Sequence, residues 1–270
     1  QICADALGMP LDRFDLTSAD TDLTPDCGKT SASRQTFVTG KAAFLAAKKL
    51  RKELLLLANA GDDAALEFAG DTIVVKEQGR QLVLDLKRLP VDDRGFVLLV
   101  EDTFDPPTSA LDALGQGAPY AVYGSGAHMA EIEVNLLLGT VKILKMTCAH
   151  DVGRAVNPTL IEGQIEGGVA QGLGMALMEE FFPGRGENLH DYLIPTIGDM
   201  PEVRSILIED ESPLGPFGAK GIGEQALIPT APATMNAIYS ATGARLRRIP
   251  AIPDRVRAAI LALERDKQGV

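Results

Sequence analysis

Gly163-Gln164-Ile165-Glu166-Gly167-Gly168-Val169-Ala170-Gln171-Gly172-Leu173-Gly174 places five glycines in twelve residues, between flanks that carry helical spacing. Inside a helix each glycine costs roughly 0.8–1 kcal/mol relative to alanine, so a helix here holds only if close packing of its bare backbone recovers several times that. On a helical wheel Gln164, Gly168 and Gln171 share one face at i, i+4 and i+7, which sets two amides on either side of exposed backbone. The pattern fits two arrangements: tight packing of a small-residue stripe against a sheet, or a seat for a bulky polar ligand.

Upstream of Asn157-Pro158, two strand-like runs, Ala130 to Leu137 and Val141 to Ala149, flank Gly139-Thr140 and predict a hairpin. Downstream, Gly215-Pro216-Phe217-Gly218-Ala219-Lys220-Gly221-Ile222-Gly223-Glu224 forms a glycine-dense loop ahead of a helix start marked by Pro229 and Pro232. Such a loop brings backbone close to a ligand, although Glu224 alone also fits an ordinary acid favoured by a helix dipole. The order Gly218, Gly221, Gly223 departs from G-x-G-x-x-G, so dinucleotide binding of the Rossmann type is a weak reading.

Gly28-Lys29-Thr30-Ser31-Ala32-Ser33-Arg34 precedes a long helix expected from about Ser33 to Ala60, capped by Thr30, Ser31 or Ser33 and ended by Gly61. Its hydroxyls and free amides suit either N-capping or a phosphate. A short helix is expected over Gln1 to Leu7, closed by Gly8 and Pro10, then a strand over Arg13 to Ser18 and a loop over Asp20 to Lys29. Thr72 to Val75, Leu82 to Asp85 and Phe96 to Val100 read as three further strands. Asp102 to Pro119, rich in Pro and Gly, marks an exposed connection and a boundary between lobes at 1–117 and 118–270.

A formal charge of −11 lacks the clustered cations that phosphate backbones require, which argues against nucleic acid as a partner. No apolar run approaches the roughly 18–20 residues that span a bilayer, so a soluble, cytoplasmic protein is expected. Cys3, Cys27 and Cys148 have no C-x-x-C spacing, and His128, His150 and His190 no H-x-x-x-H spacing, so these residues signal no iron–sulfur or zinc centre. The chain begins at Gln1 in what reads as mid-helix, which raises the expectation of an upstream segment.

Taken in order, Asp20-Thr21-Asp22-Leu23-Thr24-Pro25, Ser31-Ala32-Ser33-Arg34-Gln35-Thr36, His150-Asp151-Val152-Gly153-Arg154-Ala155-Val156-Asn157-Pro158, Gly163-Gln164 and Gly221-Ile222-Gly223-Glu224 resemble the C-terminal part of the molybdenum-binding subunit of the xanthine dehydrogenase/aldehyde oxidase family. The stretch 64–117 carries no such motif. The resemblance implies an α+β fold of mixed sheets with packed helices and a molybdopterin dinucleotide, in its cytosine form, carrying molybdenum. It implies that Glu224 matches a buried glutamate that accepts a proton while an electron-poor carbon is hydroxylated. For that role the carboxylate should be ionised yet poorly solvated, so that its pKa rises toward the working pH.

By the same resemblance Gln164 matches an amide beside the molybdenum-pterin group, with Gln171 farther out. Ser31, Ala32, Ser33 and Arg34 match the segment around the pterin and its phosphates, Gly221 and Gly223 the approach to Glu224, and Lys220 a helper. The family's other cofactor and substrate contacts lie in an upstream half that has no counterpart here. The expected partners are therefore an upstream molybdopterin-binding half-subunit, an iron–sulfur subunit and an FAD subunit, as in the split enzymes related to nicotinate dehydrogenase; a piece of one longer subunit is the competing reading. The expected substrate is an N-heteroaromatic such as nicotinate or a purine, with an aldehyde as the alternative; a non-catalytic assembly subunit and a nucleotide-binding module using the Gly-rich loops are the remaining possibilities.

Overall fold

A computed structural model describes residues 1–268 and divides the chain into two compact units, residues 1–122 with 212–219, and residues 123–211 with 220–270. The first unit opens with α1 (Ile2–Leu7), closed by Gly8 in the left-handed region, and continues into α2 (Val38–Leu57). A three-stranded antiparallel meander follows: β1 (Ala65–Ala69), β2 (Thr72–Glu77) and β3 (Arg80–Asp85). Ala6, Leu7, Leu54, Leu55, Ile73, Val75 and Leu84 form its core, so one apolar stripe of α2 and the inward residues of β2 are buried together.

Two expected strands fail in this unit. Arg13 to Ser18 is not a strand: a single 3-10 turn covers Leu11–Arg13, and Leu16 is 87% exposed, so alternation there found no sheet to join. Phe96 to Val100 likewise lies outside the sheet, whose third strand is instead Ala65–Ala69. Apolar alternation makes a strand only where a neighbouring strand accepts its hydrogen bonds.

The second unit is built on a hairpin of β4 (Gly126–Val134) and β5 (Val141–Asp151), with a bulge between Glu131 and Ile132. The connection is wider than Gly139-Thr140: Asn135 Oδ1 accepts from Leu137 N and Leu138 N, at 3.0 Å each. α3 (Pro158–Leu177) follows; Asn157 Oδ1 caps it by accepting from Leu160 N at 3.1 Å, with proline in the first turn where its missing N–H costs nothing. The helix leads to β6 (Glu202–Ile208), which pairs parallel to β5. A βαβ crossover of this kind lays its helix on the sheet, and Ile165, Val169 and Leu173 of α3 are buried with Ile143, Met146 and Cys148 of β5. α4 (Thr230–Thr242) and α5 (Pro253–Gln268) add a second core of Ile238, Ala244, Ala251, Val256 and Ile260. The architecture is α+β with mixed sheets, and no helix among the described residues is long and apolar enough to cross a membrane.

Candidate active site

The glycines of α3 divide between its two faces. A Cβ at Gly168 would stand 2.6 Å from Ala226 Cβ, and one at Gly172 2.4 Å from Thr230 Cβ, so these glycines let the segment 224–230 settle onto the helix. Gly168 is therefore buried packing surface, which corrects the expectation of bare backbone at that position. The exposed face carries Gln164 and Gln171 with Gly167 between them and Gly163 alongside. A Cβ at Gly163 or Gly167 would meet nothing within 4 Å. The bare patch between the two amides exists, displaced by one residue and backed by the packed face.

Glu224 opens a 3-10 turn, Glu224–Ala226, that leads into α4. Ala226 is buried on Gly168, which places Glu224 two residues from that contact and Gln164 one helical turn before it. Glu224 as a residue is exposed in this chain. Ala226 takes the inward position of the turn, and Glu224 is left facing outward. Gly221 and Gly223 are half-buried in the approach to it.

At the start of that approach, Lys220 Nζ donates to Asp151 Oδ2 at 2.6 Å, with both side chains nearly buried at 9% and 10% exposure. Asp210 lies 3.6 Å from the same ammonium. Lys220 N also donates to Val152 O, and Asp151 Oδ1 accepts from Gly153 N. Behind the turn, His128 and His150 face each other through their Nε2 atoms at 2.8 Å, and His128 Nδ1 lies 3.1 Å from Thr230 Oγ1. Burial, reinforced by the neighbouring His150, holds His128 down at about 4. Burial also lowers His150, so both rings are neutral near pH 7. The sequence signalled no metal centre at this pair, because neither residue sits at a recognisable ligand spacing. Gln225 was likewise missed; its Nε2 and His150 Nδ1 are buried without a hydrogen-bond partner among the described residues.

Ser31, Ala32, Ser33 and Arg34 belong to the first unit and lie in turns before α2 rather than at its cap. Ala32 and Ser33 have φ of 56° and 54°, a left-handed pair that no helix start contains, and α2 begins only at Val38 without a side-chain cap. Arg34 Nε donates to Lys29 O at 2.8 Å, and Gly28 N to Asp26 Oδ1 at 2.7 Å, so the loop folds on itself. Arg34, Ala32 and Gly28 line a cavity of about 460 Å³ with Phe37, Phe104 and Tyr120.

Residues 1–201 match the family model described as a molybdopterin cofactor-binding domain. Over 95% of its length the chain is 31% identical to a putative xanthine dehydrogenase molybdenum-binding subunit of Escherichia coli, of which it covers 34%. Over its full length it is 33% identical to a probable xanthine dehydrogenase subunit of Bacillus subtilis, covering 36% of that protein. Among solved structures, the aldehyde oxidoreductase of Desulfovibrio desulfuricans matches with a TM-score of 0.78 at 29% identity, over 96% of this chain and 26% of that one. The chain thus spans about a third of the length of the curated relatives it matches.

Proposed function

This chain belongs to the molybdopterin cofactor-binding domain family, with relatives among xanthine dehydrogenases and aldehyde oxidoreductases, and on that premise we propose that it supplies one wall of the molybdenum-pterin site of a multisubunit hydroxylase. The observation that carries this is the exposed stripe Gln164, Gly167, Gln171 on α3, beside which the turn bearing Glu224 is packed at Gly168. The residues fit such a group. Two neutral amides can donate to a polar ring edge, and the bare backbone between them admits a flat, bulky body where side chains would stand in the way.

When bound, the group supplies the oxidising centre for placing an oxygen from water on a C–H carbon. Glu224 accepts the proton at its carboxylate, and Gln164 and Gln171 orient the pterin through amide N–H donors. Gly221 and Gly223 keep the approach to Glu224 clear, while Ser31, Ala32, Ser33 and Arg34 meet the phosphates. Covering Glu224 against bulk water makes it a better proton acceptor, because desolvation disfavours the charged form of a carboxylate. The cover comes from an upstream molybdopterin-binding half-subunit. Electrons leave through an iron–sulfur subunit and an FAD subunit, the pterin carries a cytosine nucleotide, and the complex works in the cytoplasm.

The substrate in this proposal is an N-heteroaromatic, a purine or a nicotinate-like ring, supported by the xanthine dehydrogenase names of two relatives. An aldehyde is the second choice, favoured by the fold match to an aldehyde oxidoreductase. In the purified complex, Glu224→Gln should keep its molybdenum content and lose about three orders of magnitude or more in kcat/KM, the cost of removing a proton acceptor used in the transition state. Turnover near the wild-type value would remove Glu224 from the chemistry. Comparing xanthine, nicotinate and benzaldehyde as substrates of the same complex decides between the two classes.

A further inference from the structure

Two consecutive residues at the end of β5 hold both ends of the segment that carries Glu224. Asp151 binds Lys220 at its beginning, through an ion pair at 2.6 Å. His150 reaches Thr230 at its end through His128, at 2.8 Å and 3.1 Å. The direction of the histidine contacts follows from the unpartnered ring atom, His150 Nδ1, which lies beneath Gly126, where a Cβ would stand 2.5 Å from it. A buried N–H without an acceptor is rarer and costlier than a spare lone pair. His150 therefore carries its proton on Nε2 and donates to His128 Nε2. His128 Nδ1–H then donates to Thr230 Oγ1, and the Thr230 hydroxyl is left to donate to Ala226 O at 3.4 Å. The last acceptor belongs to the 3-10 turn that Glu224 opens.

We propose that His150 and Asp151 form a two-point clamp, working through His128–Thr230 at one end and Lys220 at the other, that fixes residues 220–230 and with them the position of the Glu224 carboxylate. The clamp rests on the reading of Glu224 as the proton acceptor. Lys220, Asp151, His128, His150 and Thr230 are positioning residues, since each acts on Glu224 through the loop. Gly172 is part of the device, because its missing Cβ is what lets Thr230 lie against α3.

The test uses the molybdenum-loaded complex with three variants: Thr230→Val, which removes the hydroxyl at nearly constant shape, the double variant Lys220→Met with Asp151→Asn, which leaves no lone buried charge, and Lys220→Arg, which restores the ion pair. Amide hydrogen exchange at residues 221–228 should rise by about tenfold or more in the first two while β4 and β5 stay protected, as for a local opening. Their kcat should fall by about tenfold with KM within about twofold, the pattern of a misplaced group that acts in the transition state, and Lys220→Arg should recover most of both effects. Exchange within about twofold of wild type in both disrupting variants overturns the clamp. Faster exchange spreading equally through β4 and β5 overturns it too, since that is general destabilisation, as does faster loop exchange with unchanged kcat. If the loop loosens as expected while Glu224→Gln still turns over normally, the anchoring stands and the role of Glu224 falls.

Discussion

On one face of α3 a methyl group added at Gly168 or Gly172 would stand 2.6 Å from Ala226 Cβ or 2.4 Å from Thr230 Cβ; on the other, Gly163 and Gly167 have nothing within 4 Å of where theirs would go. The same residue type, a few positions apart, answers two different needs. The inner glycines repay their helix-breaking cost by admitting a neighbouring segment, so their contribution is packing. The outer ones have no such return inside this chain, which is why we assign them to a ligand.

The largest effect that can break this contrast is expected at Gly172. Gly172→Ala gains roughly 1 kcal/mol of helix propensity but forces Thr230 aside, and should cost about 2 kcal/mol net in urea unfolding. Gly172→Val should prevent cooperative folding of the second unit. A stabilised Gly172→Ala would mean that the inner face is loose.

Acid should loosen the same face. His128 is held at about 4 in the folded chain against an ordinary 6.5, so between those values the unfolded chain binds the extra proton. Stability is therefore full above pH 6.5 and declines as the pH falls toward 4. Melting temperature followed over that range should show the decline, and His128→Gln should flatten its upper part. A slope unchanged in the variant would place its origin elsewhere.

On the outer face the sign reverses. Gly167→Ala should stabilise the chain by about 0.5–1 kcal/mol, since alanine restricts the unfolded chain and meets no obstacle. Gly167→Phe should leave the melting temperature near the wild-type value and lower the molybdenum content of the purified complex. Normal metal content would show that nothing bulky lies on that stripe. The smallest effect is expected for Gln171→Ala, within about 0.5 kcal/mol in stability, with a modest loss of molybdenum on dilution.

Much of the second unit was legible because its signals are local. Helical spacing on the flanks of Gly163 to Gly174 announces a helix, alternation around Gly139 announces a hairpin, and glycine density marks Gly163 to Gly174 and Gly215 to Glu224 as segments needing close neighbours. β6 was not read, since a parallel strand finds its partner across a whole crossover. The start of α2 was misread because Ser31 and Ser33 look like caps, whereas Ala32 and Ser33 take a left-handed turn that capping rules do not anticipate. His128 and His150 carry no spacing signal: 22 residues apart, they meet only because the register of β4 on β5 brings them together.

By itself the sequence determined which residues are chemically unusual, the two amides, the glycines and the one glutamate, together with the helix and hairpin that hold most of them, because propensity, capping and periodicity act over a few residues. Only the tertiary structure decided which glycine faces inward, that Glu224 lies exposed in this chain, and that β5 ends by gripping both sides of its loop. Those outcomes depend on contacts between segments tens of residues apart, and such contacts leave no periodic trace in the chain that makes them.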